Sequence, residues 1–245
     1  MSTDQMHERG SAIIDRASLR LSATLLLAGQ LLYIVATQFH AGGDANNHPE
    51  IFARYANSDS WKAVHVGQFL AMAVIIAGLL IFYFALDAPV RSAARTAGLG
   101  AASAVVALAL YAVLQAVDGI GNKEVDDAWL SAQTAEKTAR FASAEAMRWL
   151  EWGVRSYHDY ALGLALLLLA AAVLRRAGIS RPIAYLMGLS GLTYLVQGWV
   201  VSAEGFSQTE SIAIVLAWVL SLAWMIWLVV VAWQRHSSET PRPAR

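Results

Sequence analysis

The chain contains no cysteine. That excludes disulfides, thiolate nucleophiles, iron–sulfur clusters and cysteine-ligated zinc, so any metal must rest on histidine and carboxylate. Charge is scarce too: charged residues make up 15% of the 245, against about 25% in soluble domains. Lysine plus arginine balance aspartate plus glutamate at 18 each. With no basic stripe, nucleic acid is not expected as a partner. There is no Gly-rich phosphate loop and no GxSxG. His-x-x-x-His and His-Glu-x-x-His are also missing.

What fills the chain instead is apolar. Hydrophobic residues make up 57% and the mean hydropathy is +0.47. They fall into six blocks, at about Leu19–His40, Lys62–Leu86, Ala97–Asp118, Leu150–Leu174, Pro182–Val201 and Thr209–Trp233. A hydrocarbon core takes about 20 helical residues, and most of these blocks reach that length. The pattern predicts an all-α polytopic membrane bundle of six transmembrane helices over 19–233, with no room for a second folded domain. Residues 1–18 read as a polar cytoplasmic lead and 234–245 as a polar cytoplasmic tail. The first block is longer than a signal peptide needs and no small-x-small site follows it, so it is expected to stay uncleaved.

The connections differ in kind. Ala41–Trp61 holds Asp44, His48 and Glu50, with a short helix expected near Ile51–Tyr55. Residues 87–96 make a tight connection in which Pro89 stops the preceding helix. Gly119–Met147 is the longest, and its Ala/Glu/Lys/Gln-rich part from Asp126 favours a helix leading straight into the fourth span. With both termini inside, the inner segments hold 11 of the 18 basic residues and only 5 of the 18 acidic ones. The positive-inside rule therefore puts the termini in the cytoplasm, with an acidic face outside; usage rich in Ala, Val, Leu and Arg suits a bacterium, whose inner membrane is the expected location.

Each span carries its polar residues on one stripe, and every stripe lies in the outer half. The stripes are Gln30, Tyr33, Thr37, His40; His65, Gln68, Met72; Tyr111, Gln115, Asp118; Arg148, Glu151, Arg155, His158; Tyr194, Gln197, Glu204; and Glu210, Ser211. Ionisable side chains inside a membrane must face protein or water. The expected arrangement is a polar cavity opening to the extracytoplasmic side over an apolar floor. Trp61, Trp149, Trp152 and Trp199 are placed near its rim.

Roles follow from side-chain chemistry. Glu151, His158 and Asp118 are the candidate acid–base residues. Arg148, Arg155, Gln68, Gln115 and Gln197 are candidates for holding substrate, the arginines through an anionic head group or by tuning the carboxylates. His40, His65, His158 and Asp118 are candidate ligands for zinc, iron, manganese or copper. His48 lies on the same side. Haem between two of His40, His65 and His158 is another option. Plainer readings stand beside these: Glu151–Arg155 and Arg155–Asp159 as structural ion pairs, the tryptophans as interfacial anchors, and Gln30 as interhelical glue. His7 and His236 fall in the polar tails and are assigned no role.

The function expected from these features is a membrane-embedded enzyme acting on a lipid or small amphiphile. A non-catalytic ligand-binding or sensing subunit is the alternative. A transporter fits less well, since the inner halves offer no polar exit path and no inverted repeat is visible; a purely structural subunit needs no cavity at all.

Six spans, the Asp44/His48/Glu50 loop leading into WKAVHVGQFL, and LQAVDG closing the third span resemble six-span bacterial integral membrane proteins of unknown function. The resemblance covers most of the chain and implies no activity.

Overall fold

The structure is a computed structural model that describes residues 15–86, 91–176 and 179–234. The start of the polar lead, Asp87 and Pro89, Gly178, the tail beyond Gln234, and with them His7 and His236, lie outside the described residues. Among the described residues there is no strand.

Six long helices are apolar enough to cross a membrane, and the chain is a multi-pass membrane protein. They are α1 (Arg16–Gln38), α3 (Trp61–Leu86), α4 (Arg91–Ala116), α6 (Lys137–Leu174), α7 (Arg181–Glu204) and α8 (Gln208–Trp233). Two short helices, α2 (His48–Ala56) and α5 (Lys123–Leu130), lie between them at one end of the bundle. Caps follow side-chain chemistry. Asp15 accepts from the Ala17 amide at the start of α1, Ser207 accepts from Glu210 N at the start of α8, and Pro182 sits in the first turn of α7.

Two helices depart from the expected bounds. The third span runs on through a π-helical turn, Val117–Asn122, into α5. The fourth begins 13 residues earlier than its apolar block, because the Ala/Lys/Glu-rich lead-in is helical from Lys137 on, after a break at residues 131–136 where one continuous helix was expected. At 38 residues, α6 is about 57 Å long at 1.5 Å per residue, so its first turns stand clear of a ~30 Å core.

The long helices form a closed ring in the order α1, α3, α4, α6, α7, α8 and back to α1. In lipid, apolar association gives no hydrophobic gain, so close packing of small residues must hold such a ring. α4 shows how. Ala93, Ala97, Gly100, Ala104 and Ala107 are buried at alternating steps of four and three, and Gly100 meets Leu169 and the Ala165 carbonyl of α6. α6 and α7 cross at Gly163 and Gly191, where a Cβ on either would stand 2.7–2.8 Å from the other's carbonyl oxygen.

At one end the interior is apolar, with Leu26, Ile76, Leu79, Phe82, Leu169, Trp224 and Leu228 all fully buried. Toward the middle a separate small void of about 10 Å³ lies among Gln30, Leu79, Leu166 and Trp224. The opposite end is capped by a separate cluster of Ile51, Phe52, Tyr55, Trp61 and Ala144, with Trp129 and Phe141 packed on it. Beside this cap lies the cavity.

Candidate functional site

A cavity of about 560 Å³ opens at the capped end, within the 300–1,000 Å³ usual for small-molecule sites. The α1 stripe supplies Tyr33 and Thr37, α3 supplies Gln68, α4 supplies Tyr111 and Gln115, and α6 supplies Arg148, Glu151 and Arg155. Asp118 enters from the π-helical turn, and Glu210, Ser211 and Trp218 come from α8. Polar stripes on separate spans therefore meet in one place. Gln68 is tied to α1, donating to Thr37 Oγ1 at 3.1 Å. Gln115 Oε1 is buried without a protein partner. Gln197 lies outside the lining but accepts weakly from Arg155 at 3.5 Å and donates to the Ala213 carbonyl.

Two buried polar centres share this cavity. The first joins His65, Asp118, Asn122, Glu151 and Arg148. Glu151 Oε2 accepts from Arg148 Nη1 at 2.7 Å and from Asn122 Nδ2 at 2.6 Å. Asn122 also donates to Asp118 Oδ1. The Arg148 guanidinium donates further to the Tyr55 hydroxyl and the Ala45 carbonyl. It lies 4.5 Å from the centre of the Phe206 ring. Burial holds the Tyr55 hydroxyl well above its ordinary value, against the opposing pull of Arg148, so it remains a neutral partner.

At the edge of this centre, His40, His65 and Asp118 each offer a ligand atom within 4.8 Å of the others. The two imidazoles are held alike. His65 Nδ1 stands 2.8 Å from the Trp61 carbonyl and His40 Nδ1 stands 3.0 Å from the Ala41 carbonyl. A carbonyl only accepts, so both Nδ1 atoms carry a proton, and a neutral ring at either position has its lone pair on Nε2. Burial, the largest influence, holds His40 below its ordinary value of 6.5 and so keeps it neutral. His65 Nε2 lies 3.0 Å from Asp118 Oδ2 but at an angle that makes no hydrogen bond. A carboxylate oxygen that close to a ring nitrogen calls for a positive charge, either a proton on His65 Nε2 or a cation beside the two. Two ligands of one tetrahedral ion at 2.0–2.2 Å would stand about 3.3 Å apart, close to what is found.

The second centre lies deeper on α6. Arg155 Nε donates to Asp159 Oδ2 at 2.9 Å, and its Nη2 stands 4.0 Å from Glu210 Oε1. Across both centres, Arg148 and Arg155 face the four buried carboxylates of Asp118, Glu151, Asp159 and Glu210. That leaves two negative charges to be met by protons or by a cation.

Several expected details come out differently. Arg155 pairs with Asp159 as expected, but Glu151 pairs with Arg148 and not with Arg155. His158 does not join the His40/His65/Asp118 group, because it lies seven residues or about 10 Å beyond Glu151 along α6. There its Nδ1 is satisfied by the Ala107 carbonyl of α4 and its ring packs on Tyr111. Both arginines hold carboxylates, and Arg148 Nε is buried without a protein partner. His48 pairs with Glu145, and Glu50 with Arg54, outside the cavity. Trp61 is buried, donating to the Asp118 carbonyl, whereas Trp149 and Trp199 are exposed on the bundle surface.

Tyr55, Asn122 and Phe206 belong to the site and were not among the residues expected there. Asn122 follows Asp118 by one helical turn, a spacing that pairs side chains, and this was the available signal. Phe206 follows Gly205, whose φ of +70° turns the chain in the left-handed region that favours glycine. No sequence pattern aims that ring at Arg148. The chain matches no protein-family model, no curated protein and no solved structure.

Proposed function

We propose that the cavity is the active site of a membrane-embedded, metal-dependent enzyme that acts on a lipid or small amphiphile from the extracytoplasmic side. The balance of basic residues supports that orientation, with the termini in the cytoplasm. The observation that carries the reading is the matched pair of histidines. Metal-bound imidazoles characteristically give their second N–H to a carbonyl or carboxylate, which fixes the tautomer and aims the lone pair. His40 and His65 both do so, beside Asp118.

In this reading His40, His65 and Asp118 hold a divalent ion, and imidazole plus carboxylate suits zinc, iron, manganese or copper. A bound ion supplies Lewis acidity toward a substrate oxygen. Glu151 is the acid–base residue. Its Oε2 is pinned by Arg148 and Asn122, and the carboxyl faces the cavity. Arg148 offsets the negative charge and positions Glu151. Gln115, with its unpartnered Oε1, orients a substrate donor. The fully buried apolar side chains at the far end, Leu26, Ile76, Leu79, Phe82 and Leu169, speak against a transport route through the ring.

Metal analysis of the purified protein tests the reading. Wild type should carry about one transition-metal ion per chain, while His65→Ala and Asp118→Asn should each lose most of it, since removal of a ligand costs far more than the 10–100-fold of an outer-shell change. Wild type that is folded, metal-free and refuses all four ions on titration would sink it.

A further inference from the structure

Resting on that reading, we infer that the substrate is an amphiphile with an uncharged head that enters from the bilayer through the seam between α1 and α8, head in the cavity and chain in the seam. Four observations point there. The first is connectivity. Every other neighbouring pair in the ring is joined by a chain segment at one end, whereas α1 and α8, the first and last of the described long helices, are joined by none. That seam can widen without deforming a loop.

The second is where its fastenings lie. Among the described residues the hydrogen bonds between α1 and α8 lie at the end far from the cavity: Arg20 Nε donates to the Ala232 carbonyl, and Arg16 Nη1 to the carbonyl of Gln234, which caps α8. Arg20 also lies over the Trp233 ring. Toward the cavity the two helices meet through an edge-to-face contact of Tyr33 with Trp218, at 6.3 Å. Thirdly, the cavity wall runs through the seam. Thr37, Ile214, Val215 and Trp218 line it, and Val215 is 56% exposed. An accessible apolar residue of α8 thus forms part of the cavity wall at the seam. Fourthly, α8 is the least buried of the six long helices, with 28% of its apolar stretch inside against 33–56% for the others. It is the member of the ring with least to lose by moving.

The head-group chemistry follows from the charges already placed. Both guanidinium groups are paired, and the surrounding carboxylates outnumber them. The divalent ion of that reading offsets the excess of carboxylates, so an anionic head would add a charge that the cavity wall does not offset. An uncharged head with ester or hydroxyl oxygens finds Gln115, Gln68 and Ser211.

The absence of cysteine from the chain makes the test direct. Wild type is reconstituted in phosphatidylcholine vesicles containing a monoacylglycerol with a diazirine on its chain, irradiated, and mapped by peptide mass spectrometry. Labelling should be enriched severalfold at Ile214, Val215 and Thr37 over the equally lipid-facing Val105 and Val106 of α4. Oxidising a Thr37→Cys/Ile214→Cys pair should abolish that enrichment, and reduction should restore it. If the pair does not oxidise, Val215→Trp, which fills the seam without a covalent bond, must lower the labelling severalfold. Uniform labelling around the ring, or seam labelling that survives both the lock and the plug, overturns the proposal. The measurement needs no metal. Seam labelling in a protein that binds no metal would overturn the metal-enzyme reading alone, and uniform labelling in a metal-loaded protein would overturn the seam alone.

Discussion

The six long helices have two unlike ends built on the same backbones. Toward the cap, α6 buries Arg148, Glu151 and Asp159, and its neighbours add Asp118, Asn122 and Gln197. Toward the other end the same helices bury Leu19, Leu79, Phe82, Leu169 and Leu228, with Ser22 donating to the Gly78 carbonyl as a small exception. The apolar end is held by dispersion and by backbones drawn close at small residues, so its contacts are many, weak and interchangeable. The polar end is held by a few directed pairs, each of which leaves a buried charge behind if its partner goes. The contrast teaches where this protein is fragile: at the end where chemistry is possible.

The sharpest way to break that contrast is Arg148→Ala. It strips Glu151 of its counter-charge and Tyr55 of its donor, and should cost about 3–5 kcal/mol, as loss of one partner of a buried pair does. Denaturant titration in detergent micelles reads it. Replacing both members, as Arg148→Met with Glu151→Leu, should recover most of the loss while abolishing activity, because no charge is then stranded. If the double variant is no better than the single, the cost lies in packing and not in charge. At the apolar end, Leu79→Ala, with its side chain fully buried, should cost less, about 2 kcal/mol, the low end of the range for core truncation. The apolar transfer gain seen in water is weak here, because the unfolded helix stays in lipid. A loss equal to that of Arg148→Ala would erase the distinction between the ends. The smallest effect belongs to the exposed Lys62–Glu124 pair at 2.8 Å. Lys62→Ala should leave the denaturation midpoint where it is within error, at low and at high salt alike.

The spans and the cavity end were legible because both rest on periodicity. An apolar block of about twenty residues has one stable use in a membrane, and charges at steps of three and four must share a face. Partner choice was not legible. Whether Glu151 takes Arg148 or Arg155 depends on how α6 is rotated against the π-helical turn and α8, and that rotation is set by packing. Arg148 lies opposite Tyr55 because α2 folds back over the bundle end, a placement decided by Ile51, Phe52 and Trp61 finding Ala144 and Phe141. His158 shared the stripe but not the depth, since a stripe specifies azimuth and leaves height to be compared across helices. Trp61 and Trp149 look alike as residues near helix ends, yet one is buried and the other exposed, which only the neighbouring elements decide.

The open seam between the first and last long helices also sets the order in which the protein can be made. The chain leaves the ribosome with α6 before α8, so Arg155 and Asp159 reach the membrane while Glu210 and Ser211 are still unsynthesised. Until α8 arrives the cavity lacks one wall, and the stretch of α6 that carries these charges has lipid or water where its last neighbour belongs. The final helix is therefore the clasp of the ring, and every earlier step of assembly yields a molecule without a closed site.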